Sequence, residues 1–148
     1  LYFETRVKIS DATQTDFLVG FTETFATNPE AALDSSNVIG FVKVDGSAIV
    51  KGTTESGDTQ TLVEFSDTTK STMNNDVYVT LGLVATKGTT TDKVEFYINR
   101  TKVGTSTTNI PTANMKVMAM SVSGDATGQK VTTIDYIMAA KDRDVSYS

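Results

Sequence analysis

Three carboxylates, Glu64, Glu95 and Asp135, lie in segments where apolar and polar residues alternate, so a sheet could present them to a substrate. Retaining glycoside hydrolysis needs two such groups about 5–5.5 Å apart on neighbouring positions. Here each stands alone in its own segment, and Glu95 has the outward parity of its strand, which makes all three solvated strand-face residues. Asp11, Asp16, Asp45, and Asp142 with Asp144 are oxygen donors of the kind calcium takes. Their spacing matches no calcium loop, and Asp in turns ordinarily accepts backbone hydrogen bonds. A structural calcium ion is the one cofactor these residues leave open. Gly82, Gly88 and Gly104 form no phosphate cradle and read as turn or bulge glycines. Asn99-Arg100-Thr101 matches a glycosylation sequon, but a hairpin turn explains the Asn better. Met115, Met118, Met120 and Met138 read as core filler. Tyr97 and Tyr147 are the aromatic residues available to stack on a sugar ring. No catalytic, cofactor-binding or metal-binding residue is assigned.

What is missing narrows the chemistry further. The 148 residues include no Cys, His or Trp. Disulfides, thiolate metal sites, His-ligated zinc and the Ser-His-Asp and Cys-His triads are thereby excluded. A formal net charge of −5 has the wrong sign for tracking phosphates, so nucleic acid is not an expected partner. No run of 18 apolar residues occurs, so no membrane helix is expected. Leu1-Tyr2-Phe3 already reads as strand interior, which suggests the ordered part of a somewhat longer chain.

The elements that would carry these residues are strands. Threonine supplies 26 residues, and stiff β-branched side chains suit a pleated, half-buried surface. Phe3, Thr5, Val7 and Ile9 alternate with Glu4, Arg6, Lys8 and Ser10; Phe17, Val19 and Phe21 follow, with Gly20 marking a close approach. Asn28-Pro29 opens a single helical turn through Leu33. Val38–Val44 runs into Asp45-Gly46, read as a two-residue hairpin turn. After Ala48-Ile49-Val50 comes a polar stretch through Asp58. Leu62–Phe65, Val77–Val84 and Val94–Ile98 are the next strands, and Asn99-Arg100 turns the chain into Thr101–Gly104. Met115–Val122 and Val131–Met138 complete nine or ten strands. Short strands with turn signals every 8–15 residues predict one all-β domain over residues 1–148, an antiparallel two-sheet β-sandwich.

Several segments together resemble concanavalin-A-like (laminin-G-like) jelly rolls. Tyr2–Ser10 resembles the opening strand, Phe17–Thr22 the next, Val94–Asn99 with Val103-Gly104 the late hairpin, and Ile134–Ile137 the closing strand, which in that fold pairs with the opening one. Together with Ile39-Gly40-Phe41, Asp45-Gly46, Tyr78–Gly82, Ile110-Pro111-Thr112 and Ala139–Arg143, they are similar to tailed-phage virion proteins, including capsid-decoration proteins. The resemblance implies a non-enzymatic structural protein on the capsid exterior, assembled in the host cytoplasm, with the major capsid protein or further copies of itself as partners. The same architecture serves glucanases, whose Glu-x-Asp-x-x-Glu grouping is absent here, and lectins. A carbohydrate-binding module that takes surface glycans is therefore the alternative. The contact surface is expected either in the loop from Phe25 to Asn37 or along an edge strand.

Overall fold

The computed structural model describes residues 1–25, 37–124 and 128–141. Its strands are β1 (Tyr2–Ile9), β2 (Thr15–Thr22), β3 (Val38–Lys43), β4 (Lys51–Ser56), β5 (Thr59–Val63), β6 (Val79–Thr86), β7 (Lys93–Ile98), β8 (Thr101–Ser106), β9 (Lys116–Ser123) and β10 (Thr132–Ala140). A single helical turn, α1 (Thr68–Ser71), lies between β5 and β6, its first turn capped by the Asp67 carboxylate, which accepts from Lys70 N. The strands form two five-stranded antiparallel sheets, ordered β10-β1-β6-β7-β8 and β5-β4-β3-β2-β9. The expected two-sheet β-sandwich is the fold found.

Strand β1 shows how the pattern produces the layers. Phe3, Thr5, Val7 and Ile9 are fully buried between the sheets, while Tyr2, Glu4, Arg6 and Lys8 face outward. β1 lies between β6, in register from Tyr2↔Val84 to Val7↔Val79, and β10, from Tyr2↔Ala140 to Ile9↔Thr132. Opening and closing strands thus pair side by side. The centre of the core is an aromatic triangle of Phe41, Phe65 and Phe96, with ring centroids 5.4, 5.9 and 6.2 Å apart. Gly52 makes room for it: a Cβ there would stand 2.9 Å from the Phe96 ring. On β2 and β3 the pair Gly20↔Gly40 brings two backbones together, so that a Cβ on Gly20 would fall 2.3 Å from Ile39 O. That is the close approach the sequence marks at Gly20.

Three local expectations are corrected. Asp45-Gly46 is not a two-residue hairpin, because the register Val42↔Lys51 leaves residues 43–50 as the connection. The loop wraps the Lys43 ammonium, which donates to Val44 O at 3.2 Å and Ser47 O at 2.9 Å. The polar stretch before Asp58 is strand β4, closed by a two-residue turn in which Gly57 and Asp58 have φ of 52° and 56°. Thr53, Thr54 and Glu55 are buried there despite their polarity. The Thr54 hydroxyl shows how: it bonds Ser106 Oγ at 2.8 Å and donates to Thr108 O at 2.9 Å. Finally, of the methionines read as core, Met118 is buried and Met115 and Met120 are partly so, but Met138 is 48% exposed. Its register partner is outward-facing Glu4, which fixes it to the solvent face. Met118 packs with Leu18, Val38 and Val42 on the outer face of the second sheet, not between the sheets. The helical turn expected from Asn28 to Leu33 lies outside the described residues.

Candidate functional site

The three carboxylates that sequence could offer for hydrolysis are separated and each is held by a cation. Glu64 follows β5 and pairs with Lys51 at 2.7 Å; Asp135 on β10 pairs with Arg6 at 2.7 Å; Glu95 on β7 pairs with Lys93 at 3.4 Å and with Lys102. Each of these four pairs has at least one partner open to solvent, so screening leaves it little net stabilisation. Hydrogen bonding from Lys102 keeps the Glu95 carboxyl below the usual range, so it is ionised wherever the protein is folded at neutral pH.

Asp11, Asp16 and Asp45 do converge at one end of the sandwich. Asp11 Oδ1 accepts from Thr13 N, Thr13 Oγ1 and Gln14 N, and its Oδ2 pairs with Lys130 at 3.3 Å. Asp16 accepts from Asp45 N. The cation these carboxylates surround is the Lys43 ammonium, whose proton all three help to retain against burial. Among the described residues no group of three His, Cys, Asp or Glu is placed to hold a metal ion; Asp142 and Asp144 lie outside them. Asn99 and Arg100 form the tight turn between β7 and β8, both at positive φ. The Asn99 side-chain oxygen accepts from Thr80 N at 2.9 Å, so the sequon asparagine works as a turn residue. No helix among the described residues is long and apolar enough to cross a membrane.

Two surfaces stand out among the described residues. The first is the side of the sandwich bounded by β9 and β10, each the edge of its own sheet. On the opposite side β5 and β8 close the sheets together: Thr61 Oγ1 bonds Thr108 Oγ1 and accepts from the Asn109 amide, and Phe65 and Val63 pack against Gly104. At β9 and β10 the facing side chains stay partly open to solvent. Register places Val117, Ala119, Ile134, Ile137 and Ala139 on the inward parity, opposite Phe21, Val19, Val7, Thr5 and Phe3. They are nonetheless exposed, Val117 by 38%, Ile134 by 37% and Ile137 by 41%. The single side-chain hydrogen bond joining β9 to β10 among the described residues is Ser121 Oγ to Thr132 Oγ1, 2.6 Å. An edge strand normally guards its free backbone with charge; β10 carries one charged residue in nine, Asp135, and β9 only Lys116.

The second surface is the outer face of the first sheet. Tyr2, Glu4, Gly82, Val84, Tyr97, Arg100 and Met138 line a hollow of about 380 Å³. The Glu4 carboxylate accepts from Tyr2 OH at 3.0 Å and from Tyr136 OH at 2.5 Å. Burial and the Glu4 hydrogen bond raise the Tyr2 phenol above its usual range, and the Glu4 hydrogen bond does the same to Tyr136. Raised phenols favour the folded state fully below pH about 10 and lose that contribution as pH climbs through their own higher values. An ultraviolet tyrosinate titration is therefore expected to show two late phenols, and Glu4→Gln to bring Tyr136 back toward the others. Farther along the face Arg6 stacks over the Tyr78 ring at 4.3 Å and Lys8 lies 5.3 Å from it. The acidic chain thus concentrates cations here, with Arg6, Lys8, Lys93, Arg100 and Lys102 against Glu4, Glu95 and Asp135.

Of this face the sequence singles out Tyr97, Glu95 and Asp135. Tyr2, Glu4 and Tyr136 carry no local motif, and Arg100 is marked only as a turn residue; they meet because β1 sits between β10 and β6, with β7 beyond. Tyr147 lies outside the described residues. Searches against protein-family models and against curated proteins find no match for the chain.

Proposed function

We propose that the chain is a non-enzymatic structural protein of a tailed-phage particle, bound to the outside of the capsid shell through its open side. The observation that carries the reading is the pair of edge strands with one charged residue each, whose inward-parity apolar residues Val117, Ile134 and Ile137 stay exposed. An exposed apolar strip flanked by unpaired backbone marks an interaction surface in a stable protein. It offers a partner both main-chain hydrogen bonds and pockets for alternate side chains. A specific contact needs about 1,000 Å² or more, which two strands of eight and nine residues and their outer rims can approach. The resemblance to capsid-decoration proteins supplies the identity of the partner, the major capsid protein, and the remaining faces supply what an outward-facing protein needs, a Thr-rich, charged surface. Each bound copy favours the assembled shell over the dissociated one by mass action.

Quantitative mass spectrometry of density-purified particles from the source tests this. A high, fixed ratio of this chain to the major shell protein is the expected result; absence from particles overturns it, and a handful of copies moves the protein off the shell. Purified Ile137→Asp is expected to melt within a few degrees of the parent, because Ile137 is already 41% exposed, yet to load stripped shells at least tenfold more weakly. Full loading by that variant removes β10 from the contact.

A further inference from the structure

Gly82 is the strand glycine that the fold does not require. A Cβ added at Gly20, Gly40, Gly52 or Gly104 would come within 3.0 Å of another atom. At Gly82 the nearest neighbours of such a Cβ are Phe3 O at 3.7 Å, Tyr97 Cβ at 3.8 Å and Glu4 Oε2 at 3.9 Å, which is ordinary contact, and its φ is not in the left-handed region. Glycine inside a strand loses roughly 0.5–1 kcal/mol relative to alanine. A cost without a structural cause points to a use, and strand glycines often mark places where a ligand approaches the sheet.

What the glycine does is leave the floor of the outer-face hollow bare. Across the sheet Gly82 stands between Glu4 on β1 and Tyr97 on β7. Tyr2 and Tyr97 are half-buried and line the hollow beside a bare backbone. Polar groups of both kinds converge there. The Glu4 carboxylate, oriented by two phenols, retains acceptor capacity. Arg100 is exposed on the turn at the hollow's rim and has no ion pair among the described residues. An aromatic wall, a carboxylate acceptor, a guanidinium donor and a volume at the lower end of the ligand range match one class of ligand, a pyranose ring with its hydroxyls.

We propose that this hollow is a glycan-binding site, in which a sugar ring lies over Gly82 against Tyr97 and its hydroxyls bond to Glu4 and Arg100. The site is on the outer face of the first sheet, whereas the apolar strip of β9 and β10 has the inward parity; the two share β10, whose Met138 lines the hollow.

The test is a glycan array carrying neutral and uronate-containing oligosaccharides, probed with the parent protein and with Tyr97→Ala, Arg100→Ala and Gly82→Leu. Binding by the parent to at least one glycan is expected, with a loss of roughly tenfold or more in Tyr97→Ala and Gly82→Leu. Tyr97→Ala removes the wall and Gly82→Leu fills the floor, and melting curves verify that both variants are folded. Arg100→Ala is on an exposed turn and keeps the fold in any case. No binding by the parent anywhere on the array overturns the proposal. So does glycan binding that survives all three substitutions. Ile137→Asp, which targets the open side, is expected to bind glycan as the parent does, so the two surfaces fail or succeed separately.

Discussion

Phe96→Ala is expected to lower stability by about 3–5 kcal/mol, read as a shift of denaturant midpoint at unchanged slope. Phe96 is fully buried on β7 and meets Phe41 of the facing sheet edge-on, 5.4 Å between centroids and 82° between planes. Its ring also fills the space that Gly52 leaves open on β4. Truncation removes the hinge of the aromatic triangle, and the surrounding strands cannot collapse into the gap because their backbones are fixed by pairing on both sides. Phe96→Leu keeps most of the volume and is expected to cost less than half as much. Equal losses in the two variants would mean that edge-on aromatic geometry, not filled volume, holds the sheets together.

Lys43→Met is the second large effect, a loss of roughly 2–4 kcal/mol. Lys43 is 1% exposed, and two main-chain carbonyls and three nearby carboxylates depend on its charge. Methionine fits the stem but leaves Val44 O and Ser47 O without their donor and Asp16 and Asp45 without a counter-charge. The parent protein carries a pH signature of the same residue. Burial lowers the Lys43 value below that of an ordinary lysine, so in the alkaline range up to the ordinary value the unfolded chain binds more protons than the folded one. Stability then rises with pH across that window, a slope that Lys43→Met abolishes. A slope that persists in the variant would assign it to another group.

The layers of this sandwich were legible because alternation in β1 and β7 has only one solution once a face is buried. The turn at Asn99-Arg100 and the backbone contact at Gly20 were legible for the same reason, being local demands on φ or on space. Strand β4 was not, because Thr53, Thr54 and Glu55 look solvated until Ser106 and Thr108 are seen to satisfy Thr54 from the other sheet. Lys43 is similar: its burial depends on a loop that wraps it, and nothing in Val42-Lys43-Val44 announces that. The outer-face hollow is a product of register. Tyr2, Glu4, Gly82, Tyr97 and Tyr136 come from four strands, and only pairing at Glu4↔Gly82 and Gly82↔Tyr97 gathers them. The open side was legible only as a general expectation of an edge strand, since exposure of inward-parity residues depends on how far two sheets diverge.

The position of β1 also sets when the molecule can form. β1 precedes the other strands of the sandwich, yet one of its two neighbours is β10, with Tyr2 opposite Ala140; β2 likewise waits for β9. On the ribosome the hairpins β3-β4-β5 and β6-β7-β8 can assemble as they emerge, while β1 and β2 each remain half-paired until β10 and β9 have been synthesised. Such distant pairings place folding in the milliseconds-to-seconds regime of β-sandwiches. During that wait Phe3, Val7, Phe17 and Val19 are open to neighbouring nascent chains, so yield in a cell is governed by the delay before the last strand arrives and not by the stability of the finished sandwich.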